Sequence, residues 1–289
     1  MKKILFLILF SIVCIKSNAQ LDVSMIGVHS SGDILMFDQV TPDAKTIGYS
    51  LGKKQSTAYT GHGAKLRRAS DNTELIVDYV NNIFDRASAK SFCASTTCFC
   101  HILYDNSGNG NNAVQDTATK QAQYVDSDFF NYPSLVFSSG TSQYYWLTTP
   151  ITLTSGFSWQ ACMKKTSGNI LGFLGTYNTT NSYLMSYTTD NVYTSEPNRQ
   201  RLSSGLGGMG KGSILVTYAT GGSFFQNNTS VANSDGGAIT ASDVFTIFGK
   251  AFNTNGNGSI AAFSVWGSAL SGANQTIVRV FYINNWVIH

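Results

Sequence analysis

The sequence predicts an all-β protein, built as a sandwich of two antiparallel sheets with one or two short accessory helices. Short segments of strand composition or of alternating apolar and polar residues recur along the chain, and turns rich in Gly, Asn and Ser separate them. Only two segments have helical composition or spacing. Many short strands with few helices are typical of sandwiches.

The predicted strands follow one another along most of the chain. They are Ile34–Met36, Ala64–Arg68, Phe99–Tyr104, Ser134–Phe137, Tyr144–Thr148, Phe157–Met163, Ile170–Leu174, Tyr183–Tyr187, Ser213–Tyr218, Val244–Phe248 and Ser259–Trp266. The predicted helices are Asn81–Ser91 and a stretch near Gly272–Asn284, where Ile277, Val280 and Ile283 recur at helical spacing. Both helices are expected to be accessories to the sheets.

The first 19 residues have the pattern of a signal peptide. Lys2 and Lys3 precede an apolar run from Ile4 to Ile15, and small residues follow at 17–19. A membrane anchor is the alternative, but the run is shorter than the roughly 20 residues that a spanning helix needs. We therefore expect a secreted or cell-surface protein, without a membrane span, whose residues 20–289 form a single domain.

Composition favours a neutral polar surface, which suits a glycan partner. Only 12% of the residues are charged, whereas Gly, Ser, Thr and Asn are abundant. The net charge of +3 includes Lys2, Lys3 and Lys16, so the remaining charged side chains balance. Since Lys and Arg nowhere cluster densely enough to follow a phosphate backbone, the sequence argues against nucleic acid as a partner.

The cysteines after residue 19 divide into a close pair and two separate residues. Cys93 and Cys98 flank a small polar tetrapeptide that can close a short disulfide loop in an oxidising compartment. Cys100 and Cys162 lie in strand-like segments, where a bridge and two buried thiols are both open. A zinc site is not expected because His101 is the one imidazole near these cysteines.

A loop at 105–116 has the oxygen spacing of a calcium site. The candidate ligands are Asp105, Ser107, Asn109 and Asp116. The alternative is an Asn/Gly turn whose side chains bond their own backbone, and the absence of helical flanks favours it. No other cofactor is expected.

Three segments of the C-terminal half occur in the order seen in the laminin-G-like branch of the concanavalin superfamily. Pro133–Phe137 with Tyr144–Leu147 resembles its opening hairpin, Phe157–Lys164 its next core strand, and Ile260–Trp266 its last strand. The resemblance implies that the predicted sandwich is a concanavalin A-like jelly roll.

The N-terminal half resembles the catalytic domain of fungal-type α-L-arabinofuranosidase B. The similar segments are Tyr59–Asn72, Phe92–Cys98 and Ile102–Asn112, and the last two together form a compound motif at fixed spacing. The resemblance implies a Cys93–Cys98 disulfide and a retaining glycosidase, which needs two carboxylates.

The carboxylates that this resemblance implies are poorly matched. The family takes both from its C-terminal half, where this chain offers few acids after Asp128. At the family's nucleophile the best register places Thr189, with Asp190 one residue further, and at its proton donor it places Asn253. Asp190 and Glu196 are therefore the catalytic candidates. The vicinal cysteine pair of the family is missing.

Three functions follow from these observations. The first is a sugar-binding protein on a scaffold whose catalytic carboxylates are not matched. The second is an active hydrolase that removes arabinofuranosyl residues from polysaccharide, and the third is an adhesive or structural surface protein. The sugar-binding candidates are Tyr145, Trp146, Tyr187, Asn191 and Asn253.

Overall fold

Antiparallel strands dominate the computed structural model, which describes residues 35–40, 45–138, 140–141, 143–153, 156–167, 171–176, 183–187, 192–193, 211–217, 223–227, 229–231, 241–248 and 257–286. The helices are α1 (Met36–Gln39), α2 (Arg86–Phe92) and α3 (Gly272–Trp286), with a 3-10 turn at Ala118–Lys120. The strands are β1 (Lys45–Ser50), β2 (Ala64–Arg68), β3 (Glu74–Val77), β4 (Tyr79–Val80), β5 (Ile83–Phe84), β6 (Cys98–Leu103), β7 (Ala113–Val114), β8 (Gln123–Phe129), β9 (Tyr132–Phe137), β10 (Tyr145–Leu153), β11 (Ser158–Ser167), β12 (Leu171–Thr176), β13 (Tyr183–Tyr187), β14 (Val192–Tyr193), β15 (Lys211–Thr217), β16 (Ser223–Gln226), β17 (Thr229–Val231), β18 (Ala241–Ile247) and β19 (Asn257–Trp266).

The strands form two layers that share β6. The first layer runs in the order β8-β9-β19-β11-β15-β16-β17, and β1 also pairs with β19. The second layer runs in the order β3-β2-β6-β7-β10-β18-β12-β13-β14. The start of β6 pairs with β8, so the two layers meet at this strand. The small hairpin β4–β5 is separate.

The main hydrophobic core lies between the layers. Trp159 and Phe263 enter it from the first layer, and Leu66, Leu147 and Ile247 from the second. All five side chains are nearly or fully inaccessible to solvent. Two antiparallel layers that enclose one core form the predicted sandwich, which is confirmed.

A second core covers the outer face of the first layer. Helix α3 begins after Ser271, whose hydroxyl caps the Asn274 amide at 3.2 Å, and packs Val278 and Phe281 against this face. Trp286 lies so close to Gly52 that a Cβ there would come within 2.5 Å of its ring. The helix therefore seals this side of the sandwich from water.

Most predicted strands are present, with corrections elsewhere. The strand at Ile34–Met36 is wrong in its described part, because Met36 begins α1. The helix at Asn81–Ser91 begins only at Arg86, after Asp85 accepts a hydrogen bond from the Ser88 amide. Asn81 and Asn82 instead have φ of 50° and 64°, which suits the tight turn of the β4–β5 hairpin.

The C-terminal helix was predicted with its buried stripe slightly displaced. Ile277 and Ile283 are only partly buried, whereas Val278, Phe281 and Tyr282 form the buried face. The strands that were not predicted are β1, β3, β4, β5, β7, β8, β14, β16 and β17. Most of them have only two to four residues, and polar residues interrupt the pattern in β1 and β8. The signal-peptide prediction for residues 1–19 lies outside the described residues. Within the described part, none of the helices combines the length and apolar character that crossing a membrane requires.

Candidate functional site

The segment Ile102–Asn112 of the compound motif forms a loop that is hydrogen-bonded to the first layer. Both carboxylate oxygens of Asp105 are used, because Oδ1 accepts from the Gly48 and Ser107 amides at 2.9 Å and Oδ2 accepts from the Asn111 amide at 3.0 Å. Burial raises the pKa of Asp105, and the hydrogen bonds from Ser107, Gly48 and Asn111 oppose that rise. These residues hold β1 against the loop.

The same contacts describe the calcium-loop candidates. The amide hydrogens around Asp105 point at the oxygens that a cation would need. Asn109 donates to the Lys45 and Thr46 carbonyls at 2.8 and 3.0 Å, and Asp116 binds His101 instead. Within the described part of the chain, His, Cys, Asp and Glu side chains form no group of three that could hold a metal. These contacts favour the Asn/Gly turn, and calcium binding stays the less favoured of the two predictions.

Arg67, from the motif at 59–72, connects another loop to β2. Its guanidinium donates to Gln121 Oε1 at 2.7 Å and to Asn72 Oδ1 at 2.8 Å, and it lies 5.4 Å from the centre of the Phe99 ring. An arginine with this many fixed partners orders the surrounding loops. Arg67 and Asp105, which lie in the segments that carry the sequence resemblance, thus have scaffold roles.

Two of the described cysteines form a disulfide and two are free thiols. Cys93 and Cys98 form the predicted disulfide, with 5.7 Å between their Cα atoms. Cys100 and Cys162 are both buried and free. Burial raises the pKa of the Cys100 thiol to about 12. Of the two alternatives for these residues, the structure therefore has two buried thiols.

The predicted sugar-binding residues are divided between core, surface and undescribed segments. Tyr145 is fully buried, and its hydroxyl donates to the Cys100 carbonyl at 2.8 Å, so its ring is part of the core. Trp146, the next residue of β10, is half-buried and faces the other way. The backbone of Tyr187 lies in β13. Asn191, Asn253 and the catalytic candidates Asp190 and Glu196 lie outside the described residues.

Trp146 belongs to a row of residues that crosses the outer face of the second layer. Directly paired residues of neighbouring strands point to the same side of a sheet. The register pairs Ile76 with Lys65, Lys65 with Ile102, Ile102 with Val114, and Val114 with Trp146. We call these residues the central row. Ile76 is 42% exposed and the others are half-buried, so the part of this face from β3 to β10 is open to solvent.

Polar side chains line one side of the central row. Glu74 and Asp116 lie two residues from Ile76 and Val114 along their chains, and His101 lies between them. His101 Nδ1 is 2.5 Å from Glu74 Oε1, and His101 Nε2 is 3.0 Å from Asp116 Oδ1. Lys65 Nζ is 3.2 Å from the second oxygen of Glu74. Although burial opposes it, hydrogen bonds from His101 and Lys65 lower the pKa of Glu74.

A second polar group lines the other side of the row. Asp78 follows Ile76 by two residues, Tyr104 follows Ile102 by two residues, and His62 contacts both. His62 Nδ1 is 2.5 Å from Asp78 Oδ1, and its ring lies edge-on to Tyr104 at 5.1 Å. Burial raises the pKa of Tyr104 despite nearby Lys65, so its hydroxyl remains a hydrogen-bond donor. Sequence reasoning missed this group because its members are distant along the chain.

The acids that the structure describes have structural partners. Each Asp or Glu with a described side chain binds a protein group: Asp38, Asp71, Glu74, Asp78, Asp85, Asp105, Asp116, Asp126 and Asp128. Asp128, for example, is 2.9 Å from Lys164 Nζ. These carboxylates therefore account for loop, cap and strand contacts within the scaffold.

Comparison of sequences connects part of the chain to known glycosidases. Residues 41–143 match the family model described as the catalytic domain of α-L-arabinofuranosidase B. Probable α-L-arabinofuranosidase B of Aspergillus flavus is 41% identical over 69 residues, which is 23% of this chain and 14% of that protein. The α-L-arabinofuranosidase of Hypocrea jecorina is 31% identical over 103 residues, which is 35% of this chain and 19% of that protein.

Comparison of structures extends the likeness in fold beyond the matched sequence. An arabinofuranosidase solved with arabinofuranosyl-α-1,2-xylobiose superposes with a TM-score of 0.63 at 16% identity, over 83% of this chain and 62% of that chain. A second α-L-arabinofuranosidase, soaked with a cyclic sulfate inhibitor, gives 0.63 at 18% identity over 84% and 63%. The chain thus covers less than two thirds of these proteins. The predicted resemblance is confirmed: residues 41–143 match the family model of the α-L-arabinofuranosidase B catalytic domain, and the fold is similar to that of solved arabinofuranosidases.

Proposed function

We propose that this protein binds glycans that bear arabinofuranosyl residues, through the open face of its second layer. The single observation that carries the proposal is the catalytic-domain signature at 41–143, because that stretch also supplies most of the central row. Trp146, the half-buried end of the central row, provides an aromatic surface beside polar groups, a combination typical of sugar-binding sites.

Binding tests this proposal directly. Isothermal titration against arabinoxylan, with unsubstituted xylan as the matched polymer, is expected to give heat with the first and much less with the second. Trp146→Ala should weaken arabinoxylan binding at least tenfold while the melting temperature changes little. Equal binding to both polymers, or binding to neither, would contradict the proposal that the protein recognises arabinofuranosyl residues.

Hydrolysis is the second candidate function. It is favoured by the likeness of residues 41–143 to the catalytic domain of a hydrolase. Asp190 is the proposed nucleophile and Glu196 its alternative. Release of 4-nitrophenol from 4-nitrophenyl α-L-arabinofuranoside tests this function, and Asp190→Asn should abolish turnover while sparing binding. Full activity in that variant would move the nucleophile to another acid.

We also propose that the protein is exported and that the loop at 105–116 is a turn and not a calcium site. Mass spectrometry of exported protein is expected to find an N-terminus at Gln20. Calorimetry on chelator-treated protein tests the loop at 105–116, where the amide donors around Asp105 favour no calcium heat.

A further inference from the structure

The length of the central row distinguishes a long ligand from a short one. The central row crosses the strands from Ile76 on β3 to Trp146 on β10 through consecutive register pairs. Four inter-strand spacings separate its ends, which gives a length of about 19 Å. A terminal arabinofuranosyl residue would cover only a fraction of that distance.

The row is one side chain wide and has polar groups on both sides. Glu74, His101 and Asp116 line one side, while His62, Asp78 and Tyr104 line the other. Sugar chains present C–H surfaces and hydroxyl edges, so they match a row that is apolar except at Lys65 and has polar borders. A protein partner would instead need a broad apolar centre, because binding energy concentrates in fully buried anchors.

Charge on this face also favours a neutral ligand. Lys65 pairs with Glu74 at 3.2 Å, His101 contacts both Glu74 and Asp116, and His62 contacts Asp78 at 2.5 Å. Glu74, Asp78 and Asp116 therefore each have a hydrogen-bonding partner within the protein. A polyanion would meet the carboxylates of both borders, and a polycation would compete with Lys65 for Glu74.

From this geometry we propose that the central row is a binding track for an extended glycan chain, which lies across the strands between the two polar borders. The inference rests on the proposed glycan-binding function and specifies its ligand as a polymer segment. One end of the chain stacks on Trp146, and the other reaches Ile76.

The experiment compares two matched isoleucines with a series of arabino-oligosaccharides of increasing length. Ile76→Ser alters the far end of the track, and Ile83→Ser alters a residue of similar exposure on the separate β4–β5 hairpin; the wild-type side chains are 42% and 46% exposed. Wild-type affinity is expected to rise with chain length until the track is covered. Ile76→Ser should lose threefold to tenfold in affinity for the long members and none for the shortest, whereas Ile83→Ser should match wild type throughout.

Two results would overturn the track, and they are distinguishable. If the wild type binds arabino-oligosaccharides with an affinity that does not depend on length, or if both isoleucine variants behave alike, the track is wrong while glycan binding stands. If the wild type binds none of the series and no arabinoxylan, the proposed function fails and the track fails with it. Melting temperatures within a few degrees of wild type ensure that both variants are folded.

Discussion

The two outer faces of the sandwich are built from similar strands but are used differently. Helix α3 covers the outer face of the first layer. Trp266 of β19 and the helix residues Tyr282 and Trp286 are fully buried there. The outer face of the second layer keeps Ile76, Ile102 and Trp146 accessible between polar groups. A helix that covers one face leaves the other as the larger surface for a ligand, so stability and recognition are separated on opposite sides.

We call the outer face of the first layer, which α3 covers, the sealed face. Truncating an aromatic side chain there should have the largest effect on stability. Trp286→Ala removes a ring that packs on Phe129 at 6.1 Å and Tyr132 at 4.9 Å. We expect it to lower the free energy of unfolding by about 3–5 kcal/mol, as large-to-small core substitutions do. Denaturant unfolding measures this loss, with Trp286→Phe as the milder control. A loss below about 1 kcal/mol would mean that α3 does not seal the face.

Acid should weaken the first layer through Asp128. Burial acts to raise the pKa of this carboxyl, but hydrogen bonds from Ser259, Lys164 and Ser134 outweigh it and lower the pKa below 3.8. The stability that Asp128 contributes is therefore present above pH 3.8 and is lost as the pH falls through the lower folded value. Asp128→Asn should cost about 2–3 kcal/mol at neutral pH and flatten the acid limb of the stability curve. An unchanged acid limb in that variant would contradict this assignment.

The disulfide should contribute less than the sealed face. Cys93 and Cys98 are five positions apart and close a short loop between α2 and β6. Chain-entropy arguments give about 2 kcal/mol for a loop this short. The double replacement by Ser, followed by thermal unfolding, checks the value, and no change on adding reductant to the wild type would argue that the bridge does not form in solution.

The smallest effect on stability is expected on the open face. Trp146 is half-buried and contacts Tyr144 at a ring distance of 5.1 Å, so Trp146→Ala should cost less than about 1.5 kcal/mol. Its loss of glycan affinity should exceed its loss of stability, the reverse of Trp286→Ala. If the two variants lose stability equally, the two faces are not functionally distinct.

Sequence reasoning identified most strands because alternation of apolar and polar residues is a local property. It also identified the loop at 105–112, whose polar residues have fixed hydrogen-bonding roles around Asp105. Alternation shows that neighbouring residues face opposite sides, but it does not show which side is the core. Tyr145 was therefore grouped with Trp146 as a sugar-binding candidate, although it belongs to the core.

The central row could not be predicted from the sequence for a different reason. Ile76, Lys65, Ile102, Val114 and Trp146 become neighbours only through the register of β3, β2, β6, β7 and β10. Register depends on turns and core packing across the whole sandwich.

The most direct test of the open face is hydroxyl-radical footprinting with and without arabinoxylan. Trp146, Tyr104 and His62 are expected to lose labelling when the polymer is bound, because it covers the open face. The partly buried Tyr132 and Phe225, which pack at the sealed face, serve as internal controls and should label equally in both samples. Protection of Tyr132 and Phe225, with unchanged labelling of Trp146 and Tyr104, would contradict the assignment of recognition to the second layer.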